Sequence, residues 1–224
     1  MALILNIDTA LETASICLAK DGELIQLTEN DNQNDHAAWL QLAIQNLMLN
    51  SEYSMQDLNA VAVSIGPGSY TGLRVGLSSA KGLCYALNIP LITVGTLEMM
   101  ALAAKEEMAD LLCPMIDARR MEIFTALYTK NLEELMKPKA MIIDGTSFAE
   151  LLPSNKILFY GSGSKKLKKL ICHDNAIFGT IMTNAGQLAT ISLNCFVKSQ
   201  FADIAYSEPL YLKEFFSSSR KPTA

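Results

Sequence analysis

Two acidic corners, each at the end of an apolar run, are the first places in the chain that could do chemistry. Asp8 and Thr9 follow the apolar run that starts at Ala2, and Asp117 follows a similar run, with Arg119 close behind. A carboxylate at a strand end can orient a metal ion or water, while turn amides and an arginine can hold phosphate. The turn after Asp8 contains no glycine, which a close approach to phosphate usually needs. A phosphate role and a purely structural role therefore both stay open for these corners.

A glycine-rich segment, GPGSYTGLRVG, occupies positions 66–76 and leads into a predicted helix over 70–87. It matches neither the P-loop nor the GxGxxG pattern. Small side chains recur along the helix at a spacing that lets another helix approach closely, and each helical glycine costs about 1 kcal/mol relative to alanine. The stripe consists of Gly72, Gly76, Ser79, Ala80 and Leu83. We favour a contact of this stripe with another subunit over packing on the protein's own sheet.

The composition is that of a folded, acidic chain. It has 224 residues, of which half are hydrophobic, and a net charge of −5. An acidic surface repels phosphate, so the whole chain is a poor stand-alone RNA binder. The five cysteines form no CxxC, and His36 and His173 form no HxxxH or HExxH pair, so no disulfide framework and no metal site is predicted. The N-terminal run predicts a strand rather than a signal peptide, and we expect a cytoplasmic protein without a membrane span.

The order of predicted elements repeats along the chain. The first half reads β-β-β-α-β-α-β-α, and the second half opens in the same way, with an apolar strand, an aspartate, a turn and another strand. Turn and cap residues mark the ends of several elements. These are Asp21-Gly22 in the first hairpin, Asn34 or Asp35 before the first helix, Thr96 before the third helix to about Met108, and Thr146 before a short helix. A further helix is predicted over Asn184–Lys198.

Two β-β-β-α-β-α units are the plan of the actin/hexokinase/Hsp70 superfamily. We therefore predict an actin-like, duplicated α/β fold with lobes at 1–104 and 105–224, whose C-terminal tail packs back on the first lobe. In that plan the first hairpin of each half faces phosphate, and a glycine-rich loop in the second half contacts adenosine. Gly161 and Gly163 occupy the position of that loop, and four lysines follow between Lys165 and Lys169. An adenine-nucleotide or RNA contact there and an ordinary solvated helix face both stay open.

Several motifs together resemble the TsaB family, which is also called YeaZ. The GPGSYTGLRVG run is specific, because related superfamily kinases do not carry it. The resemblance extends in order from residue 1 to about residue 213 and is strongest over the first 125 residues. The other motifs are IDTA ending at Ala10, the pair Asp35-His36, IDAR ending at Arg119, and the tail AYSEPLYLK ending at Lys213.

The resemblance implies a catalytically inactive subunit. It places the contacts with the partner at Gly66, Pro67, Gly68, Ser69, Tyr70, Thr71, Gly72, Leu73, Arg74, Gly76, Ser79, Ala80 and Leu83, with Arg74 as the polar anchor. Family members pair with a TsaD-like subunit, which carries an HxxxH metal site and transfers a threonylcarbamoyl group to adenosine 37 of tRNAs that read ANN codons. A TsaE-like ATPase joins them. The chain associates with tRNA only indirectly, through the complex, and forms a homodimer when it is alone. The resemblance implies no cofactor for this chain, although ATP or ADP at a subunit interface is left open. It also implies that Asp8, Thr9, Asp117 and Arg119 are vestigial phosphate corners. The alternative is an actin-like ATPase or small kinase that acts on its own.

Overall fold

The computed structural model describes residues 1–32 and 35–213, which form two five-stranded sheets with the same strand order. Of the predicted features, the Asn34 cap and the end of the second lobe, 214–224, lie outside the described residues. The first sheet, in the order β3-β2-β1-β4-β5, contains β1 (Leu3–Asp8), β2 (Ala14–Lys20), β3 (Glu23–Asn30), β4 (Ala60–Ser64) and β5 (Leu91–Val94). The second, in the matching order β8-β7-β6-β9-β10, contains β6 (Leu111–Asp117), β7 (Glu122–Thr129), β8 (Glu134–Ile142), β9 (Ile157–Tyr160) and β10 (Ala176–Phe178).

Each sheet joins an antiparallel hairpin pair to parallel strands, which confirms the predicted duplicated, actin-like plan. β1 pairs antiparallel with β2 and parallel with β4, and β6 pairs in the same way with β7 and β9. The central strand β1 is buried along its whole length, as expected where helices cover both faces of a sheet. The helices are α1 (His36–Leu49), α2 (Tyr70–Leu87), α3 (Thr96–Ala103), α4 (Ser164–Leu167) and α5 (Ala185–Val197).

The second half of the chain completes the core of the first lobe. Helices α1 and α2 cover one face of the first sheet, and α5 covers the other face. Ser192 in α5 donates a hydrogen bond to the buried Asn6 Oδ1 at 2.7 Å, and Ala185 N donates to Ser15 Oγ at 2.8 Å. The predicted boundary near residue 104 falls just after α3, yet the chain returns across it, so the first lobe cannot bury its sheet without α5.

The tail, residues 200–213, also lies along the first lobe. Ala202 N donates to the Leu91 carbonyl at 2.8 Å, and Leu210 N donates to the Ile65 carbonyl at 2.7 Å. Lys81 of α2 holds the segment between them by donating to the carbonyls of residues 205 and 207. At its end, Lys213 forms an ion pair with Glu122 at the start of β7. The tail therefore reaches from the first lobe to the second.

Turn and cap chemistry explains which local predictions are confirmed. Asp21 and Gly22 both take positive φ, 51° and 82°, as the hairpin turn requires. Asn184 caps α5 by accepting a hydrogen bond from Gly186 N at 2.9 Å. Asp35 holds the N-cap position of α1 without a side-chain cap bond.

Two helix predictions are wrong. Gly95, not Thr96, is the N-cap of α3, and α3 ends at Ala103 rather than at Met108, because turns follow. Thr146 starts no helix, since its N–H and hydroxyl are both bonded to the Asp144 carboxylate in a local turn. The predicted lysine-rich helix is present as α4, which is four residues long. Within the described residues, no helix is both long and apolar enough to span a membrane.

Candidate functional site

The glycine-rich segment links the end of β4 to α2 directly above the end of β1. Ser69 is the N-cap of α2, and its side chain accepts a hydrogen bond from Gly72 N at 3.3 Å. The loop before it is fixed by Thr96, whose Oγ1 accepts from Gly66 N at 3.1 Å and whose N–H donates to the Gly66 carbonyl at 2.9 Å. The role of Thr96 is thus to hold this loop from the start of α3.

The glycines of this segment lie against the first acidic corner. A Cβ added to Gly72 would stand 1.9 Å from the Thr9 carbonyl oxygen, and one on Gly76 would stand 2.3 Å from Thr9 Oγ1. A Cβ on Gly68 would stand 2.4 Å from the Ala10 carbonyl oxygen. Thr9 Oγ1 also donates to the Gly72 carbonyl at 2.7 Å. Close packing inside this chain therefore accounts for these glycines, and the interpretation of Gly72 and Gly76 as an open stripe for another subunit is wrong.

The predicted contact residues divide between the core and the surface. Within the core lie Gly66, Pro67, Gly72, Leu73, Gly76 and Ala80, whereas Gly68, Ser79 and Leu83 are half-buried. Exposed are Ser69, Tyr70, Thr71 and Arg74. Only these exposed and half-buried residues could meet a partner without unfolding the segment, and that role stays a prediction for them.

Gly82 is a helical glycine that the sequence reasoning missed. It is exposed, and a Cβ at this position would meet no atom of residues 1–32 or 35–213 within 4 Å. Because residues advance about 100° each around a helix, Gly82 lies roughly 80° to 120° around α2 from Gly72 and Gly76. This different direction was a signal in the sequence that could have singled out Gly82. Its cost in helix propensity, about 1 kcal/mol, is not offset by packing within this chain.

The outer surfaces of α1 and α2 form one continuous face. Gln41 Nε2 of α1 donates to Ser79 Oγ of α2 at 2.7 Å, which joins the two helices edge to edge. We call this surface the α1–α2 face. It exposes several apolar side chains beside small or polar ones: Leu42 (61%), Leu49 (73%) and Tyr85 (83%), with Gln45, Ser78 and Gly82.

Arg74 is held by two aromatic rings. Its guanidinium lies 4.0 Å from the centroid of the Tyr70 ring and 5.9 Å from that of Tyr211, and its Nε donates to the Tyr211 hydroxyl at 2.9 Å. These contacts fix the direction of a long, exposed side chain at modest energy. The sequence reasoning missed Tyr211, although it lies in the tail motif.

The first acidic corner is closed. Asp8 is fully buried, and its Oδ1 accepts hydrogen bonds from the Ser64 hydroxyl and, at 3.0 Å, from Ala10 N. Its Oδ2 has no hydrogen-bond partner among the described residues. Burial raises the pKa of Asp8 from 3.8 to about 6, while the bonds from Ser64 and Ala10 lower it. Because Thr9 is also buried and Gly72 lies against it, a phosphate group does not fit at this corner.

The second acidic corner is open. Asp117 is exposed, and its Oδ1 accepts from Lys166 Nζ and from Arg119 N, both at 2.6 Å. Lys166 and the Arg119 amide lower the pKa of Asp117 against its partial burial, which acts to raise it. Arg119 and Arg120 are exposed and take positive φ, 69° and 48°.

The glycines of the predicted adenosine loop pack internally. Gly161 has φ 86°, and a Cβ there would stand 2.4 Å from the Met115 carbonyl oxygen. One on Gly163 would stand 3.1 Å from the Ile116 carbonyl oxygen. These glycines let the loop lie on the end of β6, so their presence needs no nucleotide to explain it.

Metal-binding side chains do not gather in the described part of the chain. No group of three or more His, Cys, Asp or Glu residues there is placed to hold a metal ion. His36 is buried at the start of α1, and burial lowers its pKa. Its Nε2 has no hydrogen-bond partner among the described residues.

Comparison with known proteins shows which family shares these features. Residues 29–210 match the family described as TsaD: tRNA N6-adenosine threonylcarbamoyltransferase. The tRNA threonylcarbamoyladenosine biosynthesis protein TsaB of Bacillus subtilis strain 168 is 32% identical over 173 residues, which cover 75% of this chain and 74% of the relative. The chain belongs to the TsaB family. TsaB of Escherichia coli strain K12 is 28% identical over 98% of both chains.

A solved structure supports the same fold for this TsaB-family chain. YeaZ from Pseudomonas aeruginosa superposes with a TM-score of 0.79 at 21% identity and covers 95% of this chain and 100% of its own. That likeness confirms the actin-like, two-lobe fold. The match to a model named for the transferase relates the TsaB-family chain to TsaD in sequence as well.

Two glycine-to-alanine substitutions in α2 should have opposite effects on stability. Gly72→Ala should destabilise the chain by about 3 kcal/mol or more, because the new methyl group collides with backbone that cannot move freely. Gly82→Ala should stabilise it by about 1 kcal/mol, because the helix gains propensity without a clash. The free energy of unfolding in urea measures both, and a Gly72→Ala variant as stable as the wild type would contradict the packing described for Thr9.

The buried Asp8 should make stability depend on pH. Its pKa rises from 3.8 to about 6 on folding, so the stability due to its protonated form is full below about pH 4 and is lost as the pH rises through 6. The free energy of unfolding of the wild type, minus that of Asp8→Asn, should therefore fall by roughly 2 to 2.5 kcal/mol between pH 4 and pH 7. Asp174→Asn, at an exposed position, is the control, and a flat difference for Asp8→Asn would refute the shift.

Proposed function

We propose that this chain is a non-catalytic subunit in the biosynthesis of threonylcarbamoyladenosine in tRNA. In this proposal it binds a TsaD-like subunit and supports threonylcarbamoyl transfer to adenosine 37 of tRNAs reading ANN codons, with a TsaE-like ATPase joining the assembly. Membership of the TsaB family supports the pathway, since its relatives are called tRNA threonylcarbamoyladenosine biosynthesis proteins.

The closed first corner carries the non-catalytic part of the proposal. In an actin-like kinase this corner must admit phosphate, yet here Asp8 and Thr9 are fully buried and α2 lies directly on them. The alternative of an ATPase or small kinase that acts on its own would need α2 to leave this position. The proposal includes no cofactor for the chain itself, and ATP or ADP held at the interface with the partner is compatible with it.

The α1–α2 face is the proposed surface for the TsaD-like subunit. It offers the exposed Leu42 and Leu49 of α1 and, on α2, the exposed Tyr85 and Gly82. Gly82 is a helical glycine where an added Cβ would contact nothing among the described residues. A bare glycine surface lets the backbone of a facing helix come close. The same face, being apolar, would pair two copies of the chain when the partner is absent. Arg74, fixed by Tyr70 and Tyr211, lies on the same helix and supplies a directed positive charge at its N-terminal end.

A reconstituted modification assay tests the proposed function. TsaD-like and TsaE-like subunits, a threonylcarbamoyl-AMP supply and an unmodified tRNA transcript are combined with and without this chain. The modified nucleoside, measured by mass spectrometry after digestion, should form at least tenfold faster with the chain present. Equal rates in both reactions would refute the activator role, and strong ATP hydrolysis by the isolated chain would support the kinase-like alternative.

Substitution of Gly82 tests the proposed surface. Gly82→Leu should abolish co-purification with the TsaD-like subunit, because a branched side chain then fills the space that the facing helix needs. Its unfolding midpoint should stay at or above that of the wild type, since the position is open in the isolated chain. Gly82→Ala is the matched control and should retain most of the binding. Normal binding by a folded Gly82→Leu variant would show that the interface does not include this face.

A further inference from the structure

Five exposed basic side chains concentrate at one corner of the second lobe. They are Arg119 and Arg120 in the turn between β6 and β7, and Lys165, Lys168 and Lys169 in and just after α4. We call this set the basic corner. None of the five forms an ion pair with an acidic side chain in residues 1–32 or 35–213. The corner therefore concentrates positive charge on a chain whose net charge is −5.

Hydrogen bonds hold the two halves of the basic corner together. Asp117 N, at the end of β6, donates to Ser162 Oγ at 3.0 Å, just before α4. Lys166 Nζ donates to Asp117 Oδ1 at 2.6 Å and to the Glu122 carbonyl at 3.1 Å. These bonds place α4 over the turn that carries the two arginines. The basic corner is therefore a surface fixed by the fold and not a chance cluster of neighbours in sequence.

Two of the acidic groups beside the basic corner are already paired: Asp117 with Lys166, and Glu122 with Lys213 of the tail. A third, Asp144, lies next to the turn, since Ile143 N donates to the Met121 carbonyl at 2.9 Å. Its exposed carboxylate is hydrogen-bonded to Thr146 and Ser147 and forms no ion pair within the described residues. The five cations therefore outnumber the one unpaired carboxylate beside them, and the corner keeps a net positive charge.

We propose that the basic corner binds tRNA directly, through phosphates, while the chain sits in its complex. This inference rests on the proposed function, which brings tRNA to the assembly. Arginine guanidinium groups match phosphate in a two-pronged geometry, and lysines add mobile point charges. Contacts of this kind position the nucleic acid without reading its sequence. A basic surface on an otherwise acidic chain would also orient the approaching RNA, because the rest of the chain repels RNA.

A membrane surface fits the basic corner less well. Peripheral binding to anionic lipid generally combines basic residues with an amphipathic helix whose apolar face enters the bilayer. Helix α4 has four residues, and its Leu167 is buried in the core of the second lobe. The corner thus offers charge without an apolar face for lipid.

Two triple variants with the same loss of charge test the inference. One carries Lys165→Ala, Lys168→Ala and Lys169→Ala at the basic corner. The other carries Lys105→Ala, Lys130→Ala and Lys156→Ala, all exposed and near the opposite end of the second sheet, roughly 20 Å away along β6. Binding of an unmodified tRNA transcript is titrated over a series of salt concentrations, both with the assembled complex and, at low salt, with the isolated chain. Co-purification with the TsaD-like subunit and urea unfolding are measured for every variant.

The corner variant should bind tRNA roughly tenfold more weakly near 0.1 M salt. The slope of log affinity against log salt concentration should be shallower by about two to three, because each lost phosphate contact lowers its magnitude by about one. The control variant should bind like the wild type, and both should keep the TsaD-like subunit and their stability. Equal tRNA binding by both variants and the wild type, or an equal loss in both, would overturn the inference. Binding of the chain to vesicles of phosphatidylglycerol and phosphatidylcholine is measured as well. The inference would also be overturned if the corner variant lost binding to these vesicles but bound tRNA like the wild type.

Failure of the proposed function gives a different result. The wild-type chain would then not co-purify with the TsaD-like subunit, whatever the state of the basic corner. In that case the same comparison of the two triple variants on the isolated chain still decides whether the corner binds tRNA.

Discussion

The contact between α2 and the turn at the end of β1 is the constraint on which the rest of the structure depends. Gly72 and Gly76 allow the helix to lie on the Thr9 backbone at a distance that no other residue type would permit. That approach buries Asp8 beneath the helix and leaves its carboxylate to Ser64 and the Ala10 amide. A corner that would admit phosphate in an actin-like kinase thereby becomes part of the core. Intrinsic helix stability is exchanged for this close packing.

The two lobes are interdependent because elements of each complete the other. Helix α5 covers the second face of the first sheet, and the tail lies along α2 before it reaches Glu122 in the second lobe. Between the lobes, the buried Tyr160 hydroxyl donates to the Met100 carbonyl of α3 at 3.0 Å. Few independent motions of one lobe can leave these contacts intact. The two lobes therefore form one connected body.

The surfaces of the two lobes differ in chemistry. The first lobe presents the α1–α2 face, with exposed leucines, a tyrosine and Gly82, and Arg74 fixed near its N-terminal end. The second presents the basic corner, where Asp117 and Glu122 are paired with Lys166 and Lys213. An apolar face buries area against a protein partner, whereas uncompensated cations attract phosphate over longer distances. Under the two proposals above, the first lobe would bind the protein partner and the second lobe the polyanion.

Local patterns in the sequence were sufficient for the fold and for its strongest turns. Periodicity and the Asp21-Gly22 turn predict the strands and the first hairpin because each depends on neighbours along the chain. The family too was evident from sequence motifs alone. Residue type and spacing could not tell whether Gly72 faced a partner or Thr9, because a small-residue stripe looks the same in both cases. Only the tertiary structure decided it, by bringing the Thr9 carbonyl, distant in sequence, to within 1.9 Å of the missing Cβ. The same holds for the basic corner, whose arginines and lysines are joined by the hydrogen bonds of Asp117 with Ser162 and Lys166, contacts that no local pattern encodes.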